Sequence, residues 1–151
     1  MIITFFGHSL FKTTAKYRQK ILDFLYKQVG NAPADMYLGG YGEFDGFAYE
    51  CCKKYKETHP NVSLAFITPY LTDSYQKNRL IYEKLNYDEI IYPEIEDEPL
   101  KFAIVYRNRW MVEKADLVVC GINHRSGGAY KTYQYAKKKG KQILNVTDMN
   151  F

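Results

Sequence analysis

Two glycine-rich turns are the segments of this chain best suited to chemistry. The first is Leu38-Gly39-Gly40-Tyr41-Gly42-Glu43-Phe44-Asp45, where an apolar run gives way to a helix-like segment. Glycines at such a junction bare backbone N–H groups and remove Cβ obstruction, which suits phosphate or sugar. Glu43 and Asp45 then stand near the start of the following helix. There they either complement its dipole or accept hydrogen bonds from ribose hydroxyls or a base, and at a glycine turn we read at least one as a ligand group. The second turn is Asn123-His124-Arg125-Ser126-Gly127-Gly128-Ala129, which again opens a helix. Free N–H groups and the positive helix end make it an anion site, with Arg125 and Lys131 adding charge. The plainer reading makes Ser126 an N-cap and the glycines an aid to tight packing. Both turns together favour a phosphate or ribose site.

Three smaller groups belong with these turns. Gly7-His8-Ser9 closes the first apolar run. Its glycine lets a ligand approach, Ser9 can donate a hydrogen bond, and His8 is either a phosphate or base contact or a half-buried turn residue. Thr68-Pro69-Tyr70 ends the third run, where Pro69 turns the chain and Tyr70 either stacks on a base or covers apolar neighbours. Arg107, in Tyr106-Arg107-Asn108-Arg109-Trp110-Met111, is placed to neutralise phosphate. Tyr130 is a second candidate to stack on a base.

The elements that must position these residues alternate in kind. Apolar runs at Ile2 to Phe6, Met36 to Leu38, Val62 to Thr68, Glu89 to Tyr92, Leu117 to Cys120 and Gln142 to Val146 are continuous, as strands buried on both faces must be. Between them, Thr14 to Val29, Phe44 to Thr58, Thr72 to Leu85, Leu100 to Lys114 and Gly128 to Lys139 carry helical periodicity. Strand and helix in alternation predict a Rossmann-like three-layer α/β/α fold with a mostly parallel sheet of about five to six strands. In such folds the ligand lies beyond the carboxyl ends of the strands, where both glycine turns fall.

Composition narrows the function classes. The 151 residues read as one domain, with 46% hydrophobic and 25% charged residues. A net charge of +4 is mild, and Lys53, Lys54, Lys56 and Lys137 to Lys141 read as solvated helix faces, which argues against a nucleic-acid groove. Cys51, Cys52 and Cys120 fit no metal-ligand spacing, so no metal is expected and reduced, buried thiols of a cytoplasmic protein are. No apolar stretch approaches membrane-spanning length.

Gly7-His8-Ser9, Gly39-Gly40-Tyr41-Gly42 with Asp45, and the span from Arg107 to Ala136 resemble the SLOG superfamily of Rossmann-like domains, named for its SMF/DprA and lonely-guy branches. The resemblance covers nearly the whole chain and is nearest to the small stand-alone YpsA-like branch. Arg107-Asn108-x-x-Met111 and Ala115-Asp116 look like motifs of the lonely-guy phosphoribohydrolases, but Tyr130, Lys131 and Gln134 replace that branch's Gly, Thr and Glu. Glycosidic cleavage passes through an oxocarbenium-like state that a carboxylate stabilises and a neutral amide hardly does. The resemblance therefore implies a binding module for a nucleotide-derived molecule, with no further cofactor, of an NAD-derived or cyclic signalling kind. Thoeris antiphage effectors carry such a sensing domain, and a stand-alone one either reports or sequesters the messenger. It also implies a homodimer or higher homo-oligomer. Two other expectations stand beside it. One is an N-glycosidase or (deoxy)ribosyl or phosphoribosyl transferase with Glu43, Asp45 and Arg107 as catalytic candidates. The other is an interaction protein that uses the fold without a small ligand.

Overall fold

The six apolar runs form six strands: β1 (Ile2–Gly7), β2 (Ala34–Leu38), β3 (Val62–Ile67), β4 (Glu89–Ile91), β5 (Leu117–Gly121) and β6 (Gln142–Asn145). They are seen in a computed structural model that describes residues 1–151. All five pairings are parallel, in the order β4-β3-β2-β1-β5-β6. The chain runs outward from β1 to β4, then crosses back to place β5 on the other side of β1. That reversal opens a crevice between β1 and β5, the usual ligand position in a doubly wound sheet.

Helices cover both faces. On one lie α1 (Ala15–Gln28) and α2 (Glu43–Thr58), whose Ile21, Leu25, Phe44, Ala48 and Tyr55 pack with Ile3, Phe5, Met36, Leu38, Leu64 and Val119 of the sheet. On the other, α5 (Ala103–Lys114) and α6 (Gly127–Lys138) set Val112, Tyr133 and Ala136 against Phe6, Val118 and Cys120. Neighbouring strand residues such as Phe5 and Phe6 thus serve opposite layers, as the pleat requires. Each fully buried large apolar side chain of these layers contributes roughly 1.5–3 kcal/mol. All three cysteines are free and buried. No helix is long and apolar enough to cross a membrane.

Aspartates fix the strand starts. Asp116 accepts the Ile2 N–H at 2.8 Å and returns its own N–H to the Ile2 carbonyl, which sets the β1–β5 register. Asp88 does the same work ahead of β4, accepting from Leu64 N–H and Lys56 Nζ. Asp35, by contrast, lies inside β2.

Two helices depart from the periodicity. The predicted Thr72 to Leu85 segment is broken into α3 (Asp73–Tyr75), a π-helical turn (Gln76–Leu80) and α4 (Ile81–Asn86). The widened turn fits one extra residue per ring, and it brings Arg79 back onto the Gly40 carbonyl. The Leu100 to Lys114 segment opens with a 3₁₀ turn (Leu100–Phe102) behind Pro99 before α5 proper.

Packing at the strand ends positions the start of α2. A Cβ on Gly7 would stand 2.3 Å from Phe44 Cγ, and one on Gly121 would stand 2.4 Å from Phe44 Cδ2. The Phe44 ring therefore lies directly on the backbone of β1 and β5, and Asp45 follows it into the crevice. Gly7→Ala is expected to destabilise the protein by about 1–3 kcal/mol through overpacking. Urea denaturation measures this, and unchanged stability would mean that the ring yields freely.

Candidate functional site

A cavity of about 360 Å³ lies beyond the carboxyl ends of β1, β2 and β5, at the reversal in strand order. Its floor is Arg107 of α5, only 2% exposed. Nη1 donates to the carbonyls of Gly39 (3.1 Å) and Ile67 (2.7 Å), and Nε donates to Asn108 Oδ1. One guanidinium thus ties the ends of β2 and β3 together. A Cβ at position 39, just after β2, would stand 3.0 Å from its Cζ, so glycine there leaves room for the guanidinium.

The glycine turn continues this scheme. Gly40, at φ +63°, gives its carbonyl to Arg79 Nη2, whose guanidinium also lies over the Phe66 ring. The next backbone group, Tyr41 N–H, donates to Asp45 Oδ2 at 2.8 Å. Asp45 itself is 6% exposed, and its Oδ1 is buried without any partner. Burial pushes this carboxyl up to about 7, although the Tyr41 N–H and the Arg107 charge both pull it down. Asp45 borders this cavity and also a second one behind the turn.

The opposite wall is made by two histidines and α6. His8, 5% exposed, stacks on His124 with ring centroids 3.6 Å apart and planes within 9°. Its Nε2 is the other buried polar side-chain atom without a partner. Burial, then the facing His124, hold the His8 imidazole below its ordinary value, so it is neutral at neutral pH. His124 Nδ1 meets Ser126 Oγ at 2.9 Å. Ser126 occupies the N-cap position of α6 with no side-chain hydrogen bond to the helix end, and the first turn contains no acid. Gly127 needs its glycine for a φ of +87°. Gly128 does not: a Cβ there would meet nothing within 4 Å. Glycine inside a helix costs about 0.5–1 kcal/mol relative to alanine, so packing within the chain gives no reason for it.

Of the residues singled out from sequence, Gly7, His8, Ser9, Gly39, Asp45, Arg107, Ser126, Gly127, Gly128 and Ala129 line the cavity together. Gly40 and Gly42 border the second cavity behind the turn, where Gly42 packs on Ser9. Glu43 turns away: its carboxylate accepts the Phe11 N–H at 2.8 Å. Pro69 is buried outside the cavity, and Tyr70 packs edge-on against Tyr75. Asn123 is exposed beside the site. Tyr130 packs with Tyr133 and Phe151, and the exposed Gln134 reaches only the Tyr130 hydroxyl. Arg125 lies over the Phe151 ring. The cavity adds Leu10 and Ile104, which lie outside every motif, and Tyr41, Asn108, Met111 and His124, which lie within the motifs but were given no role at a ligand. No cluster of three metal-ligating side chains is present.

No protein-family model matches the chain, and no curated protein does. Among solved structures, its fold is similar to that of DNA processing protein A from Helicobacter pylori, a protein studied for its single-stranded DNA binding mode. The TM-score is 0.60 at 17% identity, over 95% of this chain and 63% of that one. The likeness shows a Rossmann-like fold. This chain spans less than two thirds of that protein's length.

Two predictions follow from this geometry. Asp45 binds its proton more tightly folded than unfolded, so its contribution to stability is full below about pH 4 and falls as pH rises towards about 7. Asp45→Asn is expected to remove that slope and to raise Tm at pH 8 relative to the parent. Parallel melting curves from pH 4 to 8 check this, and identical slopes would exclude the carboxyl as their cause. Gly128→Ala is expected to stabilise the fold by a few tenths to about 1 kcal/mol. The same substitution is expected to weaken any ligand held at the start of α6, a divergence readable by melting and calorimetry together.

Proposed function

We propose that the chain binds a nucleotide-derived small molecule in the cavity at the strand ends. It would act as a sensing or sequestering module of the SLOG type. One observation carries this reading. The two buried side-chain atoms without partners, Asp45 Oδ1 and His8 Nε2, both belong to residues lining the cavity, where α6 presents an uncapped N-terminus. Leaving a buried polar group unpaired costs about 1–3 kcal/mol, and a ligand with matching donors and acceptors offsets that cost.

The parts suit a phosphorylated nucleoside. The start of α6 and the Arg107 guanidinium favour negative charge, and the glycines at 127 and 128 let it approach the backbone. Leu10, Ile104 and Met111 are among the apolar residues lining the cavity, which suits a base. The volume sits near the lower end of the ~300–1,000 Å³ typical of small-molecule sites, which fits a mononucleotide-sized body. The superfamily resemblance and the fold shared with DNA processing protein A support the same location.

A second reading is enzymatic. A carboxyl held at about 7 inside a cavity is suited to general acid–base work on an N-glycosidic bond. Asp45 is then the candidate, since Glu43 and Gln134 lie outside the cavity.

Mass spectrometry of small molecules released on heating the freshly purified native protein distinguishes these. A stoichiometric intact nucleotide, lost in Ser126→Arg, is the expected result. Free base with sugar phosphate, and turnover that disappears in Asp45→Asn, would establish the enzyme instead. Co-purifying single-stranded DNA with no small molecule would overturn both.

A further inference from the structure

We propose that Tyr41 stacks on the base of the ligand, closing with Leu10 over the mouth of the cavity at the strand ends. This rests on the reading that a nucleotide-derived molecule occupies that cavity. Of the large apolar and aromatic side chains that the chain leaves exposed, Leu10 (81% exposed) and Tyr41 (61%) are the two that line it. Neither borders the second cavity behind the glycine turn. The Tyr41 ring has no aromatic partner, unlike Tyr70 on Tyr75 and Tyr130 on Tyr133 and Phe151.

Both side chains are exposed, but the backbones that carry them are fixed. Leu10 stands between two hydrogen bonds to one residue. The Ser9 carbonyl accepts the Glu43 N–H at 2.8 Å, and the Phe11 N–H donates to the Glu43 carboxylate at 2.8 Å. Tyr41 stands between Gly40, whose carbonyl accepts from Arg79, and Gly42, which packs on Ser9. Its own N–H donates to Asp45. Glu43 and Asp45 thus bind the two loops to the first turn of α2 and to each other. Single exposed apolar side chains are common and need no explanation. Two of them on touching, anchored loops at the rim of one cavity form a preorganised grip for a flat apolar body.

The other end of the ligand decides which part meets Tyr41. Arg107 commits Nη1 to the Gly39 and Ile67 carbonyls and Nε to Asn108, so Nη2 donates to no atom of the chain. The buried unpaired atoms are Asp45 Oδ1 and His8 Nε2, so Nη2 stays open to the cavity that Arg107 lines. Its free N–H groups suit a phosphate. A Cβ on Gly39 would stand 3.1 Å from Nη2, and Tyr41 follows two residues later, at most about 7 Å along the backbone. An anion at Arg107 and a ring on Tyr41 therefore fit one small ligand, with phosphate at one end and base at the other. Tyrosine suits the second task. Its ring gives up little conformational freedom on stacking, and its hydroxyl keeps to water.

Calorimetry tests this with AMP, GMP, CMP and UMP against ribose 5-phosphate, which has the same sugar and phosphate and no base. In the parent protein at least one nucleotide is expected to bind roughly tenfold tighter or more than ribose 5-phosphate. In Tyr41→Ala the affinity for that nucleotide is expected to fall roughly tenfold, while ribose 5-phosphate binds as in the parent. Tyr41→Phe, which keeps the ring, is expected to keep the parent's affinity for both. Equal binding of nucleotides and ribose 5-phosphate by the parent would overturn this inference and leave a phosphate-binding cavity in place. So would a nucleotide affinity unmoved by Tyr41→Ala, a loss shared equally by ribose 5-phosphate, or a loss of the same size in Tyr41→Phe. Absence of binding by every member of the panel would overturn the nucleotide reading and this inference with it.

Discussion

The buried guanidinium of Arg107 is the constraint on which the site depends. It forms no ion pair within 4 Å, and its hydrogen bonds go to the carbonyls of Gly39 and Ile67 and the side chain of Asn108. Burial draws its pKa below the ordinary arginine value, yet a guanidinium remains charged in a protein. A cation in so dry a place is tolerable only where dipoles and charge surround it. Strand-end carbonyls provide the dipoles, and Asp45 adds an opposing charge when it is ionised. Three successive groups of the glycine turn then have dedicated partners: Gly39 O on Arg107, Gly40 O on Arg79, and Tyr41 N–H on Asp45. A loop of glycines, which would otherwise sample many conformations, is held in one.

Such rigidity explains how the cavity keeps polar atoms unpaired. A flexible loop would collapse onto Asp45 Oδ1 or admit a neighbouring donor. Here the Tyr41 backbone is already committed, and the Phe44 ring wedged on Gly7 and Gly121 prevents α2 from settling closer to the strands. The histidine side behaves alike. His8 is pinned between the Gly121 carbonyl, which its N–H meets at 3.2 Å, and the stacked ring of His124. His124 in turn meets Ser126 Oγ, which makes no hydrogen bond to the helix end. Stability given up at Gly128, at Ser126 and at the two unpaired atoms falls on one cavity, the pattern expected where local rules yield to function.

The alternation of strand and helix was legible because buried parallel strands read as unbroken apolar runs, and each run became a strand within a residue or two at most boundaries. Strand order was not legible, because it depends on which strands share a face. The glycine turns announced themselves, but the roles of neighbouring side chains did not. Arg107 was read as a phosphate ligand, while two of its partners are backbone carbonyls, which no residue type reveals. Tyr70 and Tyr130 were read as stacking candidates, yet in a chain with 15 tyrosines each found aromatic neighbours of its own. Glu43 was separable from Asp45 in principle. Residues two apart on a helix do not share a face, so only one of the pair can look into the cavity. The His8–His124 contact joins residues from opposite ends of the chain and leaves no local signal.

The same geometry bears on why a fold shared with a protein that binds single-stranded DNA need not use it for a polymer. A strand of nucleic acid is held by repeated cationic contacts along an open groove. Here the positive features at the cavity are one buried guanidinium and one helix end, and both are confined to the same small volume. Asp45 sharpens the distinction. A phosphate near its carboxyl would favour the protonated acid, whereas a donating hydroxyl would favour the carboxylate. A run of phosphates alone would drive proton uptake at Asp45, and its binding would weaken as pH rises through about 7.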